Sequence, residues 1–262
     1  MKNLVIVGCG RLAEIVAYAV LEGLLPEYNL TGVYSRTKAK AEYLASVMTQ
    51  NGKPCKACHS LEELLALKPD YLVETASPAA MKELAFPTLK NGTSIVTLSI
   101  GAFADTPFYE DVKKVAKEHN TRVYIASGAT GGFDVLRTAS LMGNASARFF
   151  NEKGQAALRR SPVYTPTLET EKRIVFSGTA REAINVFPTG LNVSVAASLA
   201  SVGPEKMQVT MQSTPGFVGD TQRVEIKNDQ VHAVVDVYSA TPEIAGWSVV
   251  STLLNISSPI VF

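Results

Sequence analysis

Short apolar runs alternate with amphipathic segments through the first half of the chain. The apolar runs have the length of buried strands, and the segments between them repeat apolar residues at helical spacing. This alternation predicts a parallel sheet covered by helices on both faces, a doubly wound α/β domain over residues 1–126. The predicted strands are 4–7, 30–34, 71–74, 94–98 and 122–125, and the predicted helices are 12–24, 38–48, 61–67, 79–89 and 107–118.

The pattern changes after residue 127, where the strands become polar on one face. Such strands are typical of an antiparallel sheet with one solvent-facing side. We therefore expect a second, α+β domain over 127–241 that binds substrate and mediates dimerisation, with its most mobile loop at 155–170. A helix at 244–254, within the segment 242–262, is expected to pack back on the first domain. The other predicted strands are 147–151, 173–176, 207–212, 223–227 and 231–238, and the helices are 131–142, 180–185 and 193–199.

Composition and charge exclude several classes of partner. With 25 Lys and Arg against 24 Asp and Glu, the net charge of +1 gives no field for binding nucleic acid or an anionic membrane. The N-terminus lacks the features of a secretory signal and no apolar stretch is long enough to span a bilayer, so we expect a cytoplasmic protein. An odd number of cysteines, three, argues against a disulfide framework.

The segment from Cys55 to His59 matches the Cys-x-x-Cys-His pattern of covalent haem attachment. That chemistry normally requires export, for which the chain has no signal. We interpret the segment instead as the lead-in to a helix whose capping box is formed by Ser60 and Glu63. Only three potential zinc ligands lie there, whereas a structural zinc site needs four, so no metal is expected.

A glycine-rich motif directly follows the first strand and opens the first helix. It has the form G-x-G-x-x-A, in which Gly8 permits the tight turn, Gly10 lets a pyrophosphate approach the backbone and Ala13 keeps helix and strand close. The N–H groups at the start of the helix, from Arg11 and Leu12 onwards, would stabilise the phosphates. Both glycines are interpreted as marks of close ligand approach. The motif predicts a dinucleotide-binding Rossmann domain.

The end of the second predicted strand indicates which dinucleotide is bound. An NAD enzyme usually places Asp or Glu there, about 20 residues beyond the glycines, to bind the ribose 2′-hydroxyl. Here the chain has Ser35, Arg36 and Thr37, which suit a 2′-phosphate through charge-assisted hydrogen bonds. NADP is therefore the predicted cofactor, and NAD stays open as the alternative. A solvated basic loop without a ligand is the competing interpretation.

Two later strands end in small residues that leave room for ribose and nicotinamide. Ala76 and Ser77 follow one strand and Ser99 follows the next, at the carboxyl edge where ligands of such sheets bind. The alternative is a plain turn with a helix cap at Ser77.

Three blocks in the second half carry a family resemblance. They are 127–134 (SGATGGFD), 176–183 (FSGTAREA) and 187–193 (FPTGLNV), and in this order they resemble the L-aspartate dehydrogenase family. The resemblance implies a Rossmann domain and an α/β domain, commonly as a homodimer. It also implies hydride transfer between the nicotinamide and the Cα of a small amino-acid or 2-oxo-acid substrate. Ala129, in the first block, is assigned to the cofactor site.

The chain departs from that family at its proposed acid/base histidine. The family motif Asp-Pro…Asn-x-His-x-Ile matches residues 214–224, where Gln222 occupies the histidine position. Glutamine forms hydrogen bonds but does not titrate near neutral pH. Asn192 and His232 are the other catalytic candidates, although Asn192 equally suits a helix cap and His232 a solvated sheet face.

The leading hypothesis is therefore an NADP-dependent oxidoreductase of the aspartate dehydrogenase type. The alternatives are an imine or 2-oxo-acid reductase of another pathway, and a non-catalytic homologue that senses NADP(H).

Overall fold

A computed structural model describes residues 1–188 and 190–262. Thr189, which belongs to the family-like block at 187–193, lies outside the described residues. The chain divides into two compact units. The first comprises Met1–Ala126 together with Ala245–Phe262, and the second comprises Ser127–Ile244.

The first unit contains a six-stranded sheet in the order β3-β2-β1-β4-β5-β6, with every pairing parallel. The strand order reverses between β1 and β4, which creates the switch point where such sheets bind ligands. The doubly wound prediction is confirmed. Its strands are β1 Lys2–Val7, β2 Tyr28–Tyr34, β3 Lys56–Cys58, β4 Tyr71–Glu74, β5 Ser94–Thr97 and β6 Val123–Ile125. Its helices are α1 Arg11–Leu21, α2 Lys38–Gln50, α3 Leu61–Leu65, α4 Pro78–Lys90 and α5 Thr106–Glu118, with a 3₁₀ turn at Ile100–Ala104.

Strand β3 is the element of this sheet that the sequence did not predict. It has three residues, of which Lys56 is exposed, so neither length nor periodicity marks it. The helix cap predicted just after it is present in part. Ser60 Oγ accepts a hydrogen bond from Glu63 N at 3.2 Å, but the Glu63 carboxylate binds His59 N instead of the Ser60 N–H of a complete capping box.

The last helix, α10 Glu243–Ser257, completes the hydrophobic core of the first unit. Val249, Val250 and Leu253 are buried in the same cluster as the β1 residues Leu4 and Ile6. The Tyr28 hydroxyl donates a hydrogen bond to Leu253 O at 2.8 Å. This core therefore combines residues from both ends of the chain.

The second unit is built on a five-stranded sheet in the order β11-β10-β7-β9-β8. The prediction of an antiparallel sheet is wrong for one pair, because β7 and β9 run parallel. One face packs on helices around buried residues such as Phe149 and Val224, and the other face is more exposed. Its strands are β7 Ser146–Gly154, β8 Arg173–Thr179, β9 Gln208–Thr214, β10 Asp220–Lys227 and β11 His232–Ser239. Its helices are α6 Phe133–Leu141, α7 Gln155–Leu158, α8 Ala180–Val186 and α9 Asn192–Leu199.

The sequence predicts a mobile loop over 155–170, and this prediction is wrong for both ends of the segment. It begins with helix α7 and ends with a 3₁₀ turn at Pro166–Glu169. Leu158 and Leu168 are buried in the core of the second unit, while Glu169 accepts a hydrogen bond from the Tyr164 hydroxyl at 2.7 Å. The Pro and Thr content suggested a loop, but two isolated leucines hold the segment against the core.

Candidate functional site

The loop between β1 and α1 presents an uncapped helix N-terminus. Gly10 is the N-cap residue, and no side chain caps the helix there. A Cβ built on Gly10 would meet no atom within 4 Å. Nothing in the surrounding chain therefore requires glycine here, whereas a pyrophosphate held by the N–H groups of α1 would. Arg11 is exposed on the first turn, and Leu12 packs partly against the core.

Gly8 makes the tight turn that the sequence suggested, but its absence of a Cβ is explained by the chain itself and not by a ligand. Its φ is +93°, and a Cβ would lie 2.7 Å from Ala76 N. The approach of the chain's own β4–α4 connection thus requires glycine at this position, without any ligand. Of the two glycines, only Gly10 points to a bound group.

The loop after β2 is basic and exposed. Arg36 and Thr37 are exposed and Ser35 is half-buried; Thr37 occupies the N-cap of α2 but makes no side-chain capping hydrogen bond. Lys40, in the first turn of α2, was missed by the sequence reasoning. Burial raises the pKa of the Cys9 thiol to about 12, and the nearby Lys40 ammonium acts in the opposite direction. Lys40 therefore lies close to the glycine-rich loop that contains Cys9.

A buried carboxylate organises the ends of β4 and β5. Glu74 is fully buried, and its Oε1 accepts hydrogen bonds from Ala76 N at 2.7 Å, Ser77 N at 3.0 Å and Ser99 Oγ at 2.8 Å. Its Oε2 accepts from Thr97 Oγ1 at 2.6 Å and from Ser99 N at 3.2 Å. Burial raises the pKa of Glu74, and these hydrogen bonds act against that shift. We call Glu74 with these donors the Glu74 anchor.

The Glu74 anchor determines what the predicted residues at this edge can offer a ligand. The N–H groups of Ala76, Ser77 and Ser99 all point at the carboxylate. The Ser77 hydroxyl caps α4 by accepting from Ala80 N at 3.1 Å, as the helix-cap alternative predicted. The Ser99 hydroxyl is buried and donates to Glu74, so it can only accept from a ligand.

A second group of polar side chains lies on the helix-facing side of the sheet in the second unit. Asn151 on β7 stands directly opposite Gln222 on β10, and Lys153 stands opposite Asp220. Asp220 Oδ2 accepts from Gln222 Nε2 at 2.9 Å and lies 2.9 Å from Lys153 Nζ, and its Oδ1 accepts from Asn151 Nδ2. Ser213 on β9 is paired beside Lys153. We call these five residues the inner polar cluster.

Several oxygens of the inner polar cluster have no hydrogen-bond partner within residues 1–188 and 190–262. They are Gln222 Oε1, Asn151 Oδ1 and Ser213 Oγ, and the exposed fraction of each residue is 2% or less. The orientation of both amides is fixed, because each amide nitrogen donates to the carboxylate of Asp220, which only accepts. The cluster therefore presents unsatisfied acceptors, which are costly when buried.

The structure separates the remaining catalytic candidates. His232 is exposed at the start of β11, with Nε2 3.0 Å from Glu225 Oε1. Gln222 pairs with Val237 and Lys227 pairs with His232, so the alternation of side chains puts His232 on the face opposite Gln222. This placement matches the solvated-face alternative. Sequence reasoning found Gln222 through the family motif, but it missed the other members of the inner polar cluster.

Asn192 is the first residue of α9, and the N-cap position belongs to Leu191. Gly190, just before this helix, accepts a hydrogen bond from Lys153 Nζ at 3.3 Å, so the start of α9 is tied to the inner polar cluster. Ala129 is buried in the connection that leads to α6, within the same unit.

Within residues 1–188 and 190–262, no three His, Cys, Asp or Glu side chains are grouped so as to ligate a metal ion. None of the helices in this described part combines the length and apolar character needed to cross a bilayer.

Two family models match the chain, one in each half. The model described as "Homoserine dehydrogenase, NAD binding domain" matches residues 8–126. The model described as "Aspartate dehydrogenase, C-terminal" matches residues 134–256.

Individual relatives extend the similarity over the whole chain. The L-aspartate dehydrogenase of Methanococcus maripaludis strain C5 is 30% identical over 271 residues, which cover 99% of this chain and 98% of the relative. That of Methanocaldococcus jannaschii is 32% identical over 212 residues, covering 80% of this chain and 78% of the relative. The crystal structure of aspartate dehydrogenase from Thermotoga maritima aligns with a TM-score of 0.78 and 25% identity, covering 100% of this chain and 99% of that one.

The parallel sheet, the open N-terminus of α1 and these similarities define an NAD(P)-dependent dehydrogenase. The family model that matches the second half narrows this class of dehydrogenases to one family, because the second half carries the three blocks that resemble that family. The chain belongs to the L-aspartate dehydrogenase family, as its sequence motifs predicted.

Proposed function

We propose that the chain is an NADP-dependent oxidoreductase that transfers hydride at the Cα of a small amino acid, or of the imine formed from its 2-oxo acid and ammonia. The observation that carries the proposal is the unobstructed N-terminus of α1 at Gly10, where the backbone N–H groups suit a pyrophosphate. When bound there, the nicotinamide supplies the hydride chemistry. The protein's part is to bind the dinucleotide, orient the substrate and exclude water.

The preference for NADP rests on charge after β2. No carboxylate occurs between Tyr34 and Lys40, whereas Arg36, Lys38 and Lys40 are all exposed there. Together with the N-terminus of α2, these groups would hold a 2′-phosphate. NAD lacks that phosphate and would leave the basic groups without an ionic partner.

The cofactor assignment is tested by calorimetry with Arg36→Ala. We expect the Kd for NADPH to rise roughly tenfold or more, since a charge-assisted hydrogen bond is lost, while the Kd for NADH changes little. Arg122→Ala is the matched control, because Arg122 is also exposed but precedes β6 at the opposite edge of the sheet. Equal losses for NADPH and NADH would contradict the 2′-phosphate assignment.

The inner polar cluster is the part of the second unit that we assign to the substrate. Gln222 and Asn151 orient a substrate by hydrogen bonds, and neither titrates near neutral pH. Asn192, at the start of the helix tied to Lys153, would contact the substrate or the nicotinamide carboxamide.

Turnover is tested by following nicotinamide absorbance with a panel of 2-oxo acids plus ammonia, beginning with oxaloacetate. Oxidation of NADPH with one of them supports the proposal.

A non-catalytic NADP(H) sensor is the second candidate, and one observation favours it. Gln222 occupies the place of the family histidine and is buried with its amide nitrogen on Asp220, so no imidazole is available at this position. Tight NADPH binding without turnover of any acid in the panel would select the sensor.

The homodimer implied by the family resemblance stays a prediction, and light scattering of the purified chain measures it.

A further inference from the structure

The unpartnered oxygens of the inner polar cluster come from three adjacent strands. Asn151 on β7 faces Gln222 across one pairing, and Ser213 on β9 neighbours Lys153 across the other. All these side chains share the helix-facing side of the sheet, because the strand pairings put Asn151 and Lys153 on the same face. Asn151 and Ser213 are thus diagonal neighbours, roughly 7 Å apart at the backbone. Three buried acceptors, one on β7 and two on the successive strands β9 and β10, meet at one end of the sheet.

The nitrogens of the cluster already have acceptors, whereas its two amide oxygens have no donor among the described residues. The amide nitrogens of Asn151 and Gln222 both donate to Asp220. Lys153 Nζ lies between Asp220 Oδ2 and Gly190 O. Among the described residues, Gln222 Oε1 and Asn151 Oδ1 have lone pairs that accept from no donor, and the Ser213 hydroxyl, which can accept as well as donate, lies beside them. A ligand carboxylate or keto oxygen also carries only lone pairs, so Gln222 Oε1 and Asn151 Oδ1 would repel it.

A ligand that only donates hydrogen bonds has the complementary chemistry. A primary ammonium carries three N–H donors and no acceptor, and a charged donor forms stronger bonds than a neutral one. The charges that face the cluster are the Lys153 ammonium and the Asp220 carboxylate, which form an ion pair. This pair leaves no net positive charge to repel an incoming cation.

We propose that Gln222 Oε1, Asn151 Oδ1 and Ser213 Oγ form a receptor for a primary ammonium group. Its source is either the α-amino group of the amino-acid substrate or the free ammonium ion of the reverse reaction. The proposal rests on the proposed function for its biological meaning, and it identifies which part of the substrate the inner polar cluster recognises. In this arrangement Gln222 holds the amine as an acceptor and does not move a proton.

The test uses Ser213→Ala in the full chain. The Ser213 hydroxyl has no partner in the part of the chain that the structure describes, so its removal breaks no hydrogen bond there. Thr88→Val is the matched control, because Thr88 on α4 also has a fully buried hydroxyl without a partner, in the first unit. Calorimetry with and without NADPH measures the Kd of four probes: ammonium chloride, tetramethylammonium chloride, L-aspartate and succinate.

We expect ammonium, L-aspartate or both to bind the unsubstituted protein, and Ser213→Ala to raise that Kd roughly tenfold while Thr88→Val leaves it unchanged. Tetramethylammonium has the charge without N–H donors, and succinate has the carboxylates without the amine, so neither should respond to Ser213→Ala. An effect confined to L-aspartate identifies the α-amino group as the ligand, and an effect confined to ammonium identifies the free ion.

The inference is overturned if neither amine binds the unsubstituted protein, if Ser213→Ala leaves both constants unchanged, or if succinate and tetramethylammonium respond equally. The Kd of NADPH, measured in the same series, reports separately on the proposed function. Failure of the protein to bind NADPH would overturn that function, and the Kd values of ammonium and L-aspartate could still be interpreted.

Discussion

The two units each bury a polar group at a strand end, but they treat it differently. In the Glu74 anchor, both carboxylate oxygens are fully used, with five hydrogen bonds from the ends of β4 and β5. In the inner polar cluster, one oxygen each of Gln222, Asn151 and Ser213 has no partner among the described residues. We call the Glu74 anchor the closed region, because its carboxylate oxygens all have donors. We call the inner polar cluster the open region, because some of its oxygens have none.

The difference separates a structural role from a binding role. A buried polar group whose bonds are all made fixes the backbone around it, whereas unsatisfied acceptors lower the stability of the folded state. An open cluster persists in a stable fold only when the surrounding core holds it in place, and such sites are often functional. The comparison therefore predicts that substitution lowers stability strongly at Glu74 and little at the inner polar cluster.

The largest effect is expected from Glu74→Leu. Leucine removes the acceptor of five hydrogen bonds, including those from the backbone N–H groups of Ala76 and Ser77. We expect the free energy of unfolding to fall by about 3 kcal/mol or more, measured by urea denaturation. The Kd of NADPH should rise as well, because the connections after β4 and β5 lose their anchor. Unchanged stability would show that the carboxylate has no structural role.

Gln222→His comes next and alters activity. Restoring the family's histidine provides a group that titrates near neutral pH, and we expect aspartate oxidation to rise about tenfold or more, with a new inflection in its pH profile. Gln208→His, the same substitution at an exposed position of β9, is the control. If Gln222→His leaves the rate unaltered, more than this one residue separates the chain from the aspartate-oxidising members of its family.

A smaller effect concerns the pH dependence of the closed region. Burial raises the pKa of Glu74 above its ordinary value of 4.5. The folded chain then holds a proton that the unfolded chain releases, so this residue's contribution to stability is fully present below pH 4.5 and declines as the pH rises towards the raised pKa. Relative to Glu74→Gln, the unsubstituted chain should lose at most about 1.4 kcal/mol per pH unit over that range. Urea denaturation at several pH values measures the slope, and a slope of opposite sign would contradict the assignment.

The smallest effect is expected from Gln222→Met. Methionine has a similar size and removes the unpartnered Oε1, while Asp220 keeps Asn151 and Lys153 as partners. The lost hydrogen bond from Nε2 and the relieved acceptor should nearly cancel, so stability should change by less than about 1 kcal/mol in urea denaturation. A loss as large as that of Glu74→Leu would erase the distinction between the two regions.

The first unit was largely predictable because its signals are local. The strand β1, the glycines after it and helix α1 are contiguous, and the apolar run of β4 is followed by helix α4, which has Ser77 as its cap. The exception is β3, which is too short and too polar to leave a pattern. In the second unit the parallel pairing of β7 with β9 could not be read from alternation, since both orientations of a strand give the same pattern.

The open site was predictable only at one residue. Gln222 stood out because a family motif covers it, whereas Asn151 and Lys153 lie about 70 residues earlier on another strand. Their meeting depends on the register of β7 against β10, which no local signal encodes. Glu74 was visible at its strand end, but its five donors come from two separate connections, so its role appeared only in three dimensions.

The contribution of α10 to the first unit constrains how the protein is made. Val249, Val250 and Leu253 complete a core whose other members were synthesised at the beginning of the chain. A ribosome must therefore release the chain at least as far as Leu253 before this core can close. Until then the apolar surface around Tyr28 and Leu4 stays accessible to chaperones, and stalled synthesis short of residue 249 would leave an aggregation-prone fragment.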